Sequence, residues 1–171
     1  LTADRIVASE VRAARREYLE GKVGIRAVAT NAEAVPDGDV ILLAVKPQVL
    51  KSTARSLAGH FGAARPLIVS IVAGITEADI DAWLGGGFPV VRCMPNTPAL
   101  VRQGISALHA NPHVSAAQRE QADHILRAVG AGVISLDPDF VVRTINPPAL
   151  RLLGIPAGEW SGRKLGEMLG G

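Results

Sequence analysis

Aromatic residues make up only 4% of this 171-residue chain, and cysteine occurs once, at Cys93. A single cysteine can form no internal disulfide and no cysteine-based metal site. The four histidines, His60, His109, His113 and His124, stand at no ligand spacing, so no metal centre is expected. An excess of one charge is missing as well. Eighteen basic against 16 acidic residues leave a formal net charge of +2, which gives a nucleic-acid role little electrostatic support. The longest apolar run, Leu67 to Ile75 with Ser70 inside it, is far too short to span a membrane. No basic-plus-apolar export segment precedes it. A reducing, cytoplasmic setting is therefore expected. The chain opens on Leu1 rather than Met, which points to a piece of something longer.

What is present is aliphatic. Hydrophobic residues reach 48%, a balance suited to α/β proteins whose strands are covered on both faces. Short apolar runs recur at Arg5 to Ser9, Gly24 to Ala29, Val40 to Val45, Leu67 to Val72, Pro89 to Met94 and Ile105 to His109. Helical patterns separate them. Val11 to Leu19 is charged, with Gly21 placed as its C-cap. Pro47 opens the next helix, with Val49, Leu50, Ala54 and Leu57 as its inward stripe. Thr76 and Asp79 start a third, which Gly85-Gly86-Gly87 stops. Ser115 and Gln118 form a capping box before Ala122, Ile125, Leu126 and Val129. Strand and helix alternate throughout, so the expected fold class is α/β, a doubly wound, mostly parallel sheet. Arg12, Arg15 and Arg16 read most simply as a solvated helix face.

Two apolar strands end in proline-stiffened polar loops. Val40 to Val45 runs into Lys46-Pro47, and Val90-Val91-Arg92-Cys93-Met94 runs into Pro95-Asn96-Thr97-Pro98. Proline donates no backbone N–H, so strand pairing is expected to end there. Open α/β sheets bind ligands beyond the carboxyl ends of their strands, so the two loops suggest one shared crevice. Cys93 has no histidine or acid placed by sequence to activate it and reads as a small buried residue.

Both loops, in this order, resemble the nucleotide-binding domain of pyrroline-5-carboxylate reductase. The family's AVKP loop is matched by Ala44-Val45-Lys46-Pro47, and its later loop by Arg92-Cys93-Met94-Pro95-Asn96-Thr97-Pro98. Ser70-Ile71-Val72-Ala73-Gly74-Ile75-Thr76 resembles the segment the family carries between them. The likeness covers roughly residues 5 to 130. It implies reduction of pyrroline-5-carboxylate to proline with NADP or NAD as cofactor, and a possible homo-oligomer. It implies cofactor contacts at Ser9, Glu10, Asn31, Ala44, Val45, Lys46, Pro47, Ile71, Val72, Ala73, Asn96 and Thr97. No catalytic residue is assigned.

A carboxylate at Glu10 would bond a free ribose 2′-hydroxyl and repel a 2′-phosphate, whereas Arg12 pulls the other way, so NAD against NADP stays open. The G-x-G-x-x-G turn that cradles a pyrophosphate is not in this sequence. The resemblance implies that the first strand, the glycine loop and the first helix lie before Leu1. This chain alone is then expected to bind a dinucleotide weakly or not at all. The family's helical second domain, with its S-G-S-G-P substrate segment, has no match after Gly130 either.

Past Gly130 the pattern changes. Gly132-Val133-Ile134-Ser135-Leu136-Asp137-Pro138-Asp139, Ile145-Asn146-Pro147 and Leu152-Leu153-Gly154 resemble the first half of a PAS sensor domain. The domain organisation expected is 1–130 for the truncated nucleotide-binding unit and 131–171 for the partial PAS segment. That gives an alternative function, a sensory module of a signalling protein, with Ile134, Ile145, Leu150 and Leu153 lining its ligand site. Gly132 to Leu136 could instead close the reductase-like sheet.

Overall fold

A computed structural model describes residues 2–36, 38–95, 105–127, 132–137 and 139–168. The apolar runs form two sheets. β1 (Val7–Ser9) and β2 (Arg26–Val28) make a parallel pair. β3 (Val40–Leu43), β4 (Leu67–Ser70), β5 (Val90–Pro95), β6 (Ile105–Ala110), β7 (Gly132–Leu136) and β8 (Val142–Ile145) make a six-stranded sheet, neighbours following chain order. The pairs β3–β4, β4–β5 and β6–β7 are parallel, while β5–β6 and β7–β8 are antiparallel. The turn from parallel to antiparallel at β5–β6 has a simple cause. Only nine residues separate Pro95 from Ile105, too few for a parallel crossover.

The helices follow their caps. α1 (Ala13–Tyr18) runs into a π-helical turn, Leu19–Val23, that ends at Gly24 with φ 75°. Gly21, the expected cap, lies inside that turn; the left-handed residue that ends it is three positions on. α2 (Asn31–Ala34) is capped by Thr30, whose Oγ1 accepts from the Glu33 N–H at 3.3 Å. α3 (Pro47–Ala58) has Pro47 in its first turn and buries Leu50, Ala54 and Leu57. Val49, expected on the inward stripe, is instead 46% exposed, because the residues at 50, 54 and 57 already define the buried face. α4 (Glu77–Leu84) is capped by Thr76 and stops at Gly85, φ 102°. α5 (Ala116–Arg127) has the reciprocal capping box, Gln118 N to Ser115 Oγ at 3.2 Å and Ser115 N to Gln118 Oε1 at 3.0 Å. Val129 and Gly130 lie outside the described residues.

Alternating positions on the sheet divide the core into two faces. Leu43, Ile68 and Val90 pack with Leu50, Ala54 and Leu57 of α3 and Ile80 and Leu84 of α4. Val69, Val91, Cys93, Leu108 and Val133 pack with Ala122 and Leu126 of α5. Burial on both faces explains why β4 is buried at every position, Leu67 to Ser70.

β7 pairs with β6 on one edge and β8 on the other, so the chain after position 131 continues the same sheet. α6 (Pro147–Leu153) and α7 (Leu165–Met168) cover its end. Ile134, Ile145, Leu150 and Leu153 lie there in one packed cluster with Ile105, Trp160, Leu165 and Met168. Asn146 ties α6 to the sheet: its Oδ1 accepts from the N–H of Val133 at 2.9 Å and of Ala149 at 3.0 Å. Asn111 does the same at the other end of β5, accepting from Val90 N–H at 3.1 Å and donating to the Phe88 carbonyl at 2.9 Å.

The β1–β2 pair is different in kind. No residue from 2 to 27 is buried, and Val28 is the first that is. Among the described residues β1 pairs with β2 alone and β3 with β4 alone. The Arg5 guanidinium lies 3.8 Å from the Asp39 carboxylate, and each residue stands just ahead of its strand. This exposed ion pair brings the residues ahead of β1 and β3 together.

Candidate functional site: the carboxyl edge of the sheet

β3, β4 and β5 run parallel and side by side, so their carboxyl ends share one edge. This brings Lys46-Pro47, Ile71-Val72-Ala73 and Pro95 to a common side of the sheet. β5 runs through Pro95, which pairs with Ser106, so the strand goes one residue further than proline was expected to allow. A proline at the last strand position loses no ladder bond that a following residue would need. Asn96 and Thr97 lie outside the described residues.

At the β3 tip Ala44 and Lys46 are exposed, while Val45 packs partly against the core. Lys46 is the N-cap residue of α3 with extended backbone (φ −64°, ψ 145°), and no side-chain cap hydrogen bond holds it. Its ammonium is carried at the rim by backbone that Pro47 stiffens. At the β4 tip the three residues divide. Ile71 is 37% exposed and its N–H bonds the Leu43 carbonyl at 3.2 Å. Val72 is buried, its N–H bonding Ser70 Oγ at 3.3 Å. Ala73 is exposed and precedes Gly74, φ 75°. Two of the three N–H groups are thus spent inside the protein, and Ala73 with the local carbonyls is what this segment can offer a ligand.

At the β1 tip the polar groups are joined to one another. Ser9 Oγ donates to Asn31 Oδ1, linking the end of β1 to the first residue of α2. Glu10 accepts from Arg12 three times at 3.0 Å: backbone N–H and Nε at Oε1, Nη2 at Oε2. These bonds from Arg12 hold the Glu10 carboxyl down to about 2, so it is ionised at any working pH. Arg16 Nη1 donates to the carbonyls of Glu10 at 2.8 Å and Val11 at 2.9 Å. The Arg15 guanidinium lies 4.6 Å from the Tyr18 ring centroid.

The sequence missed this clamp. Arg12, Arg15 and Arg16 looked like a solvated helix face, yet two of them are bound to the residues that end β1. The readable signal was an arginine two positions after a strand-terminal acid, a spacing that lets one side chain fold back on the other.

Cys93 is 1% exposed on the α5 face of β5, and burial pushes its thiol up, out of the range of a reactive nucleophile. His109 Nδ1 stands 3.0 Å from Glu77 Oε1, and His113 Nε2 lies 3.9 Å from Asp81 Oδ2, joining α4 to β6 and the turn after it. Among the described residues no group of three His, Cys, Asp or Glu is placed to hold a metal ion, and no helix is long and apolar enough to cross a membrane.

Residues 2–74 match a family described as NADP oxidoreductase coenzyme F420-dependent. A pyrroline-5-carboxylate reductase of Pseudomonas aeruginosa is 47% identical over 171 residues, covering 96% of this chain and 61% of that protein. That match extends well past residue 130. The structure of a pyrroline-5-carboxylate reductase from Coxiella burnetii superposes with a TM-score of 0.74 at 34% identity, over 78% of this chain and 49% of that one. The pyrroline carboxylate reductase of Plasmodium falciparum, solved with NADP bound, shares the fold at a TM-score of 0.58 and 24% identity, over 66% of this chain and 42% of that one. The chain thus spans about half the length of the relatives it matches. Across that span it is a mixed α/β, Rossmann-like sheet similar in sequence and in fold to pyrroline-5-carboxylate reductases.

Proposed function

We propose that this chain is the cofactor-domain part of an oxidoreductase that reduces pyrroline-5-carboxylate to proline with NADPH or NADH. The observation that carries this reading is the shared carboxyl edge. An exposed lysine, the free backbone at Ala73 and the end of β5 meet on one side of parallel strands, where such sheets take nucleotides. The sequence likeness to pyrroline-5-carboxylate reductases runs along the same strands.

The residues fit a dinucleotide in part. The β1 tip, with Ser9, Glu10, Arg12 and Asn31, suits the adenosine ribose. Ala44 to Pro47 and Ala73 suit the middle and the nicotinamide end, to which the resemblance also assigns Asn96 and Thr97, outside the described residues. None of the 171 residues supplies a glycine-rich strand-to-helix turn for the pyrophosphate. In this reading that turn belongs to a strand placed between β1 and β3, the two strand edges that face no partner among the described residues. When bound, the nicotinamide supplies the hydride for the imine carbon. The chain's part is to hold and orient it, which is what a protein contributes to a cofactor reaction.

The test is a titration with NADPH and NADH of this chain beside one extended at both ends, followed by absorbance of the reduced nicotinamide after pyrroline-5-carboxylate is added. This chain is expected to bind weakly and turn over nothing; the extended chain is expected to bind and oxidise the cofactor. Tight stoichiometric binding by residues 1–171 alone would overturn the assignment of the pyrophosphate cradle elsewhere. An extended chain that binds cofactor yet leaves it reduced in the presence of pyrroline-5-carboxylate would overturn the substrate.

A further inference from the structure

We infer that Arg92 is the residue of the carboxyl edge that takes the carboxylate of the cyclic imine acid. The inference rests on the substrate proposed above and names the group that would hold its charge.

Arg92 stands on β5 with Ser70 of β4 on one side and His109 of β6 on the other. Side chains alternate along a strand, so it shares the face of Val90, against α3 and α4, and not that of Val91 and Cys93. Both neighbours are engaged. Ser70 Oγ accepts from the Val72 N–H at 3.3 Å, and His109 Nδ1 meets Glu77 Oε1 at 3.0 Å. Arg92 itself has little. Its Nε is buried without a hydrogen-bond partner, and its Nη2 reaches only the thioether of Met94, at 3.1 Å, a weak acceptor for a full charge. Arg5, Arg12 and Arg143 each meet a carboxylate, whereas no carboxylate among the described residues pairs with Arg92.

A desolvated donor left bare on a charged group costs stability, and in a native protein it calls for a reason. The direction of the side chain supplies one. Met94 lies two residues nearer the end of β5 and is 37% exposed, so the contact with its sulfur carries the guanidinium toward the carboxyl edge. Lys46 follows β3, two strands away, about 10 Å at ordinary strand spacing. The two cations suit different anions. An ammonium is a point charge, whereas a planar guanidinium matches a carboxylate with two parallel bonds. In the proposed reading the pyrophosphate sits between β1 and β3, and the uncharged ring of the reduced nicotinamide sits nearer β4 and β5. The negative group left for Arg92 is then the carboxylate of the substrate. Held there, it fixes the ring with its imine carbon toward the nicotinamide.

The first test uses the chain extended at both ends, saturated with NADPH, and two imines: pyrroline-5-carboxylate and 1-pyrroline, the same ring without the carboxylate. Arg92→Met is expected to raise KM for pyrroline-5-carboxylate about 10- to 100-fold, and to leave 1-pyrroline reduction and the KM of NADPH within about twofold. Arg92→Lys keeps the charge without the fork and should recover part of the loss. The second test needs no turnover. The Nε–H NMR signal of Arg92 in the 171-residue chain is titrated with cyclopentanecarboxylate and with cyclopentanecarboxamide, and only the carboxylate is expected to shift it to saturation. Stability gives a third readout. An arginine kept for structure alone would cost stability when replaced, whereas Arg92→Met removes a buried, unpartnered donor and is expected to hold or raise the urea midpoint. The inference is overturned if Arg92→Met slows both imines equally, if it affects neither, or if it weakens NADPH instead. It is overturned as well if the carboxylate leaves the Nε–H unmoved, if the carboxamide shifts it as far, or if the midpoint falls. An extended chain that reduces neither imine, while the carboxylate still saturates Arg92, would overturn the substrate proposed above and support Arg92 as a carboxylate site.

Discussion

Replacing Asn146 with alanine tests whether the last forty residues are built into the sheet or merely follow it. Asn146 is 4% exposed, and its Oδ1 accepts from two N–H groups on different elements: Val133 of β7 at 2.9 Å and Ala149 in the first turn of α6 at 3.0 Å. Both donors belong to residues with no measurable exposure, so water cannot replace the lost acceptor. A buried N–H left without a partner costs about 1–3 kcal/mol, and loss of an N-cap typically about 1 kcal/mol. The cap and the Ala149 bond are the same contact, so the terms overlap, and the expected loss is about 2–4 kcal/mol. Against a total stability of about 5–15 kcal/mol this is a large fraction. Urea unfolding followed by circular dichroism reads it as a shift of midpoint at constant slope. Asn146→Ser keeps a short acceptor for the Ala149 N–H and should recover about 1 kcal/mol of the loss. A change below about 0.5 kcal/mol in Asn146→Ala, the size of an ordinary surface substitution, would refute the claim that this side chain joins β7 to α6.

The remaining predictions concern packing, reactivity and pH. Gly132→Ala would place a Cβ 2.9 Å from Ala149 Cα and 3.0 Å from Ile105 Cγ1. It should cost about 1–3 kcal/mol in the same urea assay, and a neutral result would mean that β6, β7 and α6 do not meet as closely as described. Cys93, buried with its thiol pushed up, should react with an aromatic disulfide reagent far more slowly in the native chain than in urea; equal rates would show that β5 is open to solvent. Asp137 is held below the ordinary carboxyl range chiefly by the Val141 N–H, with further bonds from Asp139 N–H and Arg143. Because its folded value is depressed, its contribution is present above the unfolded value of about 3.9 and fades as pH falls through the folded one. Protection factors of amides in the β7–β8 turn, taken relative to the intrinsic exchange rate at each pH, should therefore fall below about pH 4, and Asp137→Asn should remove that acid sensitivity.

Much of the fold was legible because its signals are local. The Thr76 N-cap, the capping box at Ser115–Gln118, Pro47 in the first turn of α3 and the glycine stop at Gly85 each depend on a few neighbouring residues. Six strands were expected close to where they stand. What could not be read was set by distant partners. The antiparallel pairing of β5 with β6 depends on the nine-residue connection, and its register sets Arg92 opposite His109. The exposure of Val49 depends on which face of α3 meets Ile68 and Val90. Of the site, the convergence of Lys46 with the β4 and β5 ends was readable from proline placement. The bonding of Glu10 by Arg12 was not, because sequence gives the two charges and leaves open whether they touch. Segment 71–73 shows the opposite limit: its residue types suggested backbone contacts, but the hydrogen bonds of Ile71 and Val72 were already committed to the sheet and to Ser70.

The composition of β3 and its surroundings disagree, and the disagreement is informative. Val40-Ile41-Leu42-Leu43 is the kind of continuous apolar run found in central parallel strands, which are buried on both faces and paired on both edges. β4, with similar residues, is buried throughout. β3 pairs on one side only among the described residues, Leu42 is 52% exposed, and neither charge nor proline blunts its free edge within the strand. Edge strands normally carry such protection. β1 repeats the mismatch from the other side, with Ile6 and Val7 each 37% exposed beside a two-stranded ribbon too small to be stable by itself. Two apolar edges, whose leading residues Arg5 and Asp39 form an exposed ion pair, thus carry the composition of covered strands while facing no partner among the described residues.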